Sequence, residues 1–405
     1  MSPTRLKGTT EKGAGDHRAA LLAGYLGWTL DAFDFFLVVM CMTAIGREFG
    51  QSDAKMALAT TITLAFRPVG AFLFGLMADR YGRRMPLMLD LVFYSIVEVL
   101  SGLAPNYTTF MTLRVLFGIG MGGEWGVGAS LAMEKVPPRL RGVLSGFLQQ
   151  GYATGYLLAA LCFYFLFGRL GWRPLFFIGG LPALLALFVR MRVKESEVWE
   201  KTRHATWGDL GRAIAKNWKI FLYIVVLMTG MNLASHGTQD MYPTFLERQW
   251  GLDVRSRAGI TAVSMVGAII GGTLVGWISD KVGRRRAMIG ALLVATAIVP
   301  LWAFAPSLPL LVLGAFCLQF VVQGAWGVIP AHLSELSPDS VRGFLPGFGY
   351  QCGVFFSSSV TYIEAVFAHR TSYAMAMAAT AAIVFLLAAV ATAAGPERRG
   401  TRFGA

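Results

Sequence analysis

Apolar residues fall into long runs along this chain, separated by short polar stretches. The runs cover 20–46, 55–78, 85–104, 108–133, 142–168, 173–190, 219–245, 257–279, 287–305, 308–332, 343–366 and 372–394. Each approaches or exceeds the length of about 20 residues that carries a helix across roughly 30 Å of hydrocarbon. One long connection, 191–218, is charged and polar, and reads as a linker with surface helix. The pattern predicts an all-α integral membrane protein of twelve transmembrane helices. It divides into a first half at 1–190, the linker at 191–218 and a second half at 219–405.

Composition agrees with that reading. Of 405 residues, 55% are hydrophobic and only 15% charged, against about 25% charged in a soluble domain. A soluble enzyme, a secreted disulfide scaffold and a disordered tail are excluded. Cys41, Cys162, Cys317 and Cys352 all sit inside apolar runs, with no CxxC or CxxH pair, so no disulfide, metal or redox role is assigned. The first 17 residues are polar, and the run that follows lacks a small-residue cleavage site, so it is expected to remain as the first span.

The net charge of +13 would suggest nucleic acid in a soluble domain. Here its distribution gives another answer. With both termini on one side, 26 of the 36 Lys and Arg residues fall on that side, 8 on the other and 2 (Arg67 and Arg114) inside spans. The positive-inside rule then places both termini in the cytoplasm and explains the charge without nucleic acid.

The chain also repeats itself at an offset of 201. Gly75, Asp79, Gly82 and Arg83–Arg84 match Gly276, Asp280, Gly283 and Arg284–Arg285. Trp125–Gly126, Glu134, Pro137, Arg141–Gly142 and Gln150 match Trp326–Gly327, Glu335, Pro338, Arg342–Gly343 and Gln351. One offset held from span 2 to span 11 means two pseudo-symmetric six-helix halves. Parallel halves with a site between them near mid-membrane describe a secondary transporter.

The loop Gly75-x-x-x-Asp79-Arg80-x-Gly82-Arg83-Arg84, and its copy from Gly276 to Arg285, resemble the signature loop of the major facilitator superfamily. That resemblance implies gating roles. The Asp would face a helix N-terminus of the opposite half, where the helix dipole favours an anion, and the Arg would pair with an acid at the end of span 4. The matching sets are Gly75, Asp79, Arg83 and Glu134 with Arg141, and Asp280, Arg284 and Glu335 with Arg342. Span 1, with Asp31 and Asp34, and span 4, from Arg114 to Gly126 with Glu124, are similar to the sialate and monocarboxylate symporters of the superfamily. Asn232-x-x-Ser235-His236-x-Thr238-Gln239-Asp240-x-x-x-Thr244 resembles the signature of the fungal lactate and pyruvate permeases at every defined position.

The spacing in span 7 has its own meaning. Asn232, His236 and Asp240 are four apart and share one helix face, with Gln239 beside it. Ionisable groups at mid-membrane are costly, so this face is expected to line a wet cavity. An imidazole, with an ordinary pKa of about 6.5, can load and unload a proton there. A hydrogen-bonded packing cluster is the alternative; a metal site lacks a third ligand at suitable spacing. Arg67 lies mid-span, and its guanidinium fork matches a carboxylate. It is expected to hold the substrate, the alternative being an ion pair with Asp31, Asp34 or Glu124. Those three acids are candidates for proton coupling. Gln351 and Tyr350 are candidates for substrate contact, or in the case of Gln351 for a helix–helix bond. Glu98 is read as an interior pair member, Glu364 as an interfacial acid, and Trp172 and Trp218 as interfacial anchors.

Together these features predict proton-coupled symport of a small monocarboxylate of the lactate or pyruvate type, by alternating access in a bacterial inner membrane. A symporter of sialate, aromatic or other organic acids is the first alternative. A non-transporting sensor on the same fold is the second. No enzyme activity, cofactor or metal is expected, and the partners are the carboxylate, the proton and the bilayer around a monomer.

Overall fold

The computed structural model of the chain describes residues 4–81, 84–180, 184, 207–338 and 344–401. The first half contains α1 (Thr4–Phe49), α2 (Asp53–Tyr81), α3 (Arg84–Gly102), α4 (Tyr107–Gly122), α5 (Glu124–Lys135), α6 (Arg141–Cys162) and α7 (Arg173–Gly180). A connecting helix, α8 (Trp207–Lys216), leads to α9 (Trp218–Gln239), α10 (Tyr242–Arg248) and α11 (Val254–Val282). The chain continues through α12 (Arg284–Ala303), α13 (Leu308–Gly327), α14 (Ile329–Leu336), α15 (Leu345–Ser357), α16 (Val360–Arg370) and α17 (Tyr373–Ala394). Among the described residues there is no strand.

Nine helices among the described residues are long and apolar enough to cross a membrane. The other three runs of the sequence depart for local reasons. Run 4 breaks at Gly123, after glycines at 118, 120 and 122 have weakened the helix. Run 11 breaks at Ser358–Ser359. Run 6 passes beyond the described residues after Gly180, as does most of the linker. Helix α1 begins well before its apolar run, because the preceding residues continue the helix without being membrane-compatible.

The 201-residue repeat reappears as packing. Helix α1 lies on α6 as α9 lies on α15; α2 lies on α4 as α11 lies on α13. Helix α3 contacts α4 and α7 as α12 contacts α13 and α17. The halves meet through α6 against α11 and α2 against α15, a pair of interfaces that also exchange under the repeat.

Close packing depends on missing side chains at two places that matter for the site. A Cβ on Gly122 would overlap the carbonyl oxygen of Arg67, which holds α2 against α4 and fixes where Arg67 points. A Cβ on Gly142 would meet Arg284, the Gly276 carbonyl and Asp280, so only glycine lets α6 approach α11 there.

The surface is inverted relative to a soluble protein. Leu103, Phe165, Ile383 and Val390 are more than half exposed, whereas Asp31, Asp34, Arg67, Glu98, Arg114, Glu124, His236 and Asp240 are buried. That distribution suits a lipid-facing belt around a polar interior. Two expectations need correcting. Glu364 is only 1% exposed and lies inside the bundle, facing Gly237 of α9, rather than at an exposed position. Trp172 is also buried, donating from Nε1 to Glu48 Oε2 at 2.5 Å, whereas Trp218 is exposed as an anchor would be.

Candidate functional site

Both ends of the bundle are latched between halves. At the end carrying the basic loops, Asp280 accepts from the backbone N–H groups of Gly142 at 3.0 Å and Val143 at 3.1 Å. It therefore caps the N-terminus of α6, where the helix dipole favours a carboxylate. Arg284 bonds Asp280 at 2.8 Å and Glu335 at 3.0 Å, and Arg141 reaches across to Glu335 at 3.4 Å. Arg141 is expected beside Glu134 of its own half, whose side chain lies outside the described residues; it also reaches the repeat-copy acid, because α6 faces α14 across the interface. Gly75 lies on α2 beside Phe344 of the other half. The side chains of Asp79 and Glu134, and Arg83 and Arg342, lie outside the described residues.

At the opposite end Glu247 accepts from Thr43 at 2.8 Å and pairs with Arg47 at 2.5 Å and with Arg257. Asp53 receives Arg248 through two bonds of 2.9 Å and the Tyr373 hydroxyl at 3.0 Å. Ion pairs and hydrogen bonds thus join the halves at both ends, with a space between them inside the bundle.

That space holds a cavity of about 10 Å³, room for roughly one water molecule, lined by Trp28, Gln149, Tyr152, Asn232, Ser235, His236, Trp326 and Tyr350. Every lining residue is at most 5% exposed. Arg67 stands at its edge, with the guanidinium carbon 5.8 Å from the Trp28 ring and 5.7 Å from the Tyr350 ring. Its closest described acid is Asp31, at 4.0 Å, too long for a hydrogen bond. Arg67 Nε and Nη2 make no hydrogen bond. These two nitrogens form one edge of the guanidinium fork, so a buried cation presents two parallel donors suited to a carboxylate.

On α9, His236 Nδ1 lies 3.1 Å from both oxygens of Asp240, and Asp240 also accepts from Thr361 at 2.8 Å. Two of the three stripe residues, His236 and Asp240, thus form a hydrogen-bonded triad with Thr361, and Phe35 lies edge-on to the imidazole at 5.6 Å. Asn232 and His236 face the cavity; Asn232 also donates to Met228 O at 2.7 Å. Gln239 does not line this cavity. It donates to Gln319 Oε1 at 2.7 Å, one turn further along. The break that follows it has a plain cause: Pro243 has no N–H for the Gln239 carbonyl, and the Tyr156 hydroxyl bonds that oxygen at 3.3 Å instead.

Gln351 donates to Gly122 O at 3.3 Å, across the halves, which is the helix–helix bond weighed above. Asp34 sits deeper in the first half, with Glu98, Asp31 and Arg114 as its charged neighbours. Arg114 pairs with Glu98 at 2.7 Å and lies 4.6 Å over the Phe117 ring. Glu124 begins α5 at the break in span 4. Asp31 lies nearest Arg67, whereas Asp34, which feels the Asp31 charge, also has Glu98 and Arg114 nearby.

Sequence reasoning passed over Trp28, Gln149, Tyr152, Gln319 and Gln323. A signal was present for some of them. Trp28 and Tyr152 are aromatic within spans rather than at their ends, and Gln319 and Gln323 are four apart within an apolar run.

Comparison with known proteins places this geometry. The sequence profile of the Major Facilitator Superfamily matches residues 24–259, and that of the Sugar (and other) transporter family matches 218–396. The Carboxylic acid transporter protein homolog of Saccharomyces cerevisiae is 30% identical over 86% of this chain, which spans 61% of that protein's length. Sialic acid transporter NanX of Escherichia coli is 28% identical over 91% of this chain and 93% of its own. In fold, the chain is similar to the proton:xylose symporter XylE bound to 6-bromo-6-deoxy-D-glucose, with a TM-score of 0.78 at 18% identity over 96% of this chain and 98% of that one. The chain belongs to the major facilitator superfamily of integral membrane transporters.

Proposed function

We propose that this protein is a proton-coupled symporter of an organic monocarboxylate. The single observation that carries the reading is Arg67, a buried cation whose Nε–Nη2 edge makes no hydrogen bond beside a cavity between the halves. The carboxylate would take that edge, with Trp28 and Tyr350 excluding water and Asn232 and Gln149 reaching the rest of the molecule. The His236–Asp240 pair would carry the proton, and Asp34, Asp31 or Glu124 would hold charge balance when the site is empty. Latches such as Asp280 and Arg284 would gate the end carrying the basic loops, which the charge distribution assigns to the cytoplasm.

Two relatives support an acid as cargo: one is a carboxylic acid transporter homolog and one a sialic acid transporter. Lactate or pyruvate would satisfy Arg67, and a larger acid of the sialate type would do so equally. Titration calorimetry of the purified protein with lactate, pyruvate, an aromatic acid and sialate separates these. The proposal requires at least one acid to bind, and requires Arg67→Ala to lose it. Binding of a neutral sugar with no acid binding would refute it.

A further inference from the structure

One buried acid of the second half has no part in the account so far. Glu364 on α16 is 1% exposed, and neither of its carboxylate oxygens makes a hydrogen bond among the described residues. It lies against α9: the position a Cβ would take on Gly237 is 3.4 Å from Glu364 Oε1 and 3.4 Å from Thr380 Cγ2 of α17. Three residues earlier on the same helix, and so on a shared face, Thr361 donates to Asp240 at 2.8 Å. Asp240 in turn bonds His236 Nδ1 at 3.1 Å. Glu364 therefore stands about one helical turn from the imidazole–carboxylate pair.

The repeat shows that the fold needs no acid at this place. Gly50 and Gly251 end spans 1 and 7 at the same offset of 201, with φ of 64° and 63°, so the two spans compare residue for residue. Gln150 and Gln351 fix the same offset for spans 5 and 11. The positions matching His236, Asp240, Thr361 and Glu364 are Phe35, Val39, Ala160 and Phe163. All four are buried. The first half packs this region with apolar side chains, where the second half has an imidazole, two acids and a hydroxyl. Ionisable groups inside a bundle are costly, and apolar filling is often as stable or more so. The polar set gains nothing for packing, which points to a use in function.

Helices α2, α9 and α17 pack against α16. From α2 come Arg67, which faces Trp28 and Tyr350, the exposed Lys55, and Asp53, which Arg248 and Tyr373 already engage. From α17 comes that Tyr373. On α16 itself Tyr362, His369 and Arg370 are exposed. Asp240, just beyond α9, is the charged group that acts on Glu364, and both are acids. An unpaired carboxylate away from water takes up a proton rather than staying charged. Two carboxylates that share a site hold one proton between them. Past Glu364, α16 runs on to its exposed end at His369 and Arg370, opposite the basic loops.

We propose that Glu364 is a proton-carrying residue, the outermost of a relay that hands one proton from the end opposite the basic loops through Asp240 to His236. In each passage the O–H bond of the Glu364 carboxyl breaks as one forms on the Asp240 carboxylate. Asp240 then gives the proton to the Nδ1 lone pair of His236, and Glu364 is reloaded from its own end of the bundle. Charge and atoms balance at each step, and no co-reactant takes part. The inference rests on the His236–Asp240 pair carrying the coupling proton.

The test uses the purified, full-length protein in proteoliposomes, with a labelled acid that calorimetry shows it to bind. Glu364→Gln keeps the shape and cannot release a proton. It should lower uptake driven by a pH gradient at least tenfold, while affinity and the exchange of labelled for unlabelled acid change less than twofold. Glu364→Asp keeps a carboxyl and should retain part of the driven uptake with a displaced pH profile. Infrared difference spectra between low and high pH should contain the carbonyl band of a protonated carboxyl in the wild type, and Glu364→Gln should remove it. Wild-type driven uptake in Glu364→Gln would overturn the proposal, and so would equal losses of driven uptake, exchange and affinity, which a packing role alone would give. Should the Gln variant fail to insert, the Asp variant decides, and a wild-type pH profile in it would overturn the proposal. His236→Ala and Asp240→Asn separate the two failures. If both keep gradient-driven uptake, the coupling reading itself is wrong; if both lose it while Glu364→Gln keeps it, Glu364 alone is misassigned.

Discussion

Removing the Asp280 carboxylate should open the end of the protein that carries the basic loops. Asp280 accepts two backbone N–H groups at the first turn of α6, from the opposite half, and its side chain is 14% exposed. An anion at a helix N-terminus contributes about 0.3–1 kcal/mol at the surface and up to about 2 kcal/mol when partly buried. Arg284 keeps its bonds to Glu335 when Asp280 is lost, so the neighbouring pair offsets little of the change. Asp280→Ala should therefore weaken closure by about 2 kcal/mol, moving the ratio of open to closed molecules roughly thirtyfold. Asp280→Asn keeps one acceptor and loses the charge, and should move it about fivefold at roughly 1 kcal/mol. Spin labels at Leu140→Cys and Val282→Cys, in a background with the four native cysteines replaced, would report the separation of α6 from α11 by pulsed electron resonance. A longer distance should gain population in the order wild type, Asn, Ala, while substrate affinity changes far less than the transport rate. Unchanged distance distributions in both variants would show that Asp280 does not hold the closed state.

Three further outcomes follow from the same geometry. Arg67→Lys should lose acid binding at least tenfold while the protein still inserts, because a point charge does not replace the paired Nε and Nη2 donors; wild-type affinity in calorimetry would contradict this. His236→Ala should abolish uptake driven by a pH gradient, and Asp240→Asn should do so while retaining exchange of labelled for unlabelled substrate; unchanged gradient-driven uptake in both would move the proton site to Asp34 or Glu124. Arg248→Ala, which removes both bonds to Asp53 at the opposite end, should increase labelling of a cysteine introduced beside that latch, and labelling equal to the wild type would contradict a closing role.

The sequence was most legible where chemistry is incompatible with lipid. Arg67, His236 and Asp240 stood out because a charged group inside an apolar run needs an interior partner or a cavity, and all three are buried. The repeat was legible because a constant offset survives divergence of the side chains between its fixed points. What stayed hidden depends on contacts across the halves. Nothing in the order of residues shows that Arg141 reaches Glu335 of the other half, or that Gln239 turns to Gln319 instead of the central cavity. Breaks were also hard to read, since Gly123 and Ser358–Ser359 lie in runs whose hydropathy continues through them.

The central claim is that proton movement and carboxylate movement are one event. A monoanion entering alone against an inside-negative potential would meet about 2.3 kcal/mol per 100 mV, and one accompanying proton removes that cost. Uptake of a labelled acid that the purified protein binds should be measured in proteoliposomes under an imposed pH gradient, with and without a potassium-diffusion potential. The account predicts accumulation that rises as external pH falls, collapses when a protonophore removes the gradient, and is nearly insensitive to the potential. Equal uptake with and without the pH gradient would contradict it.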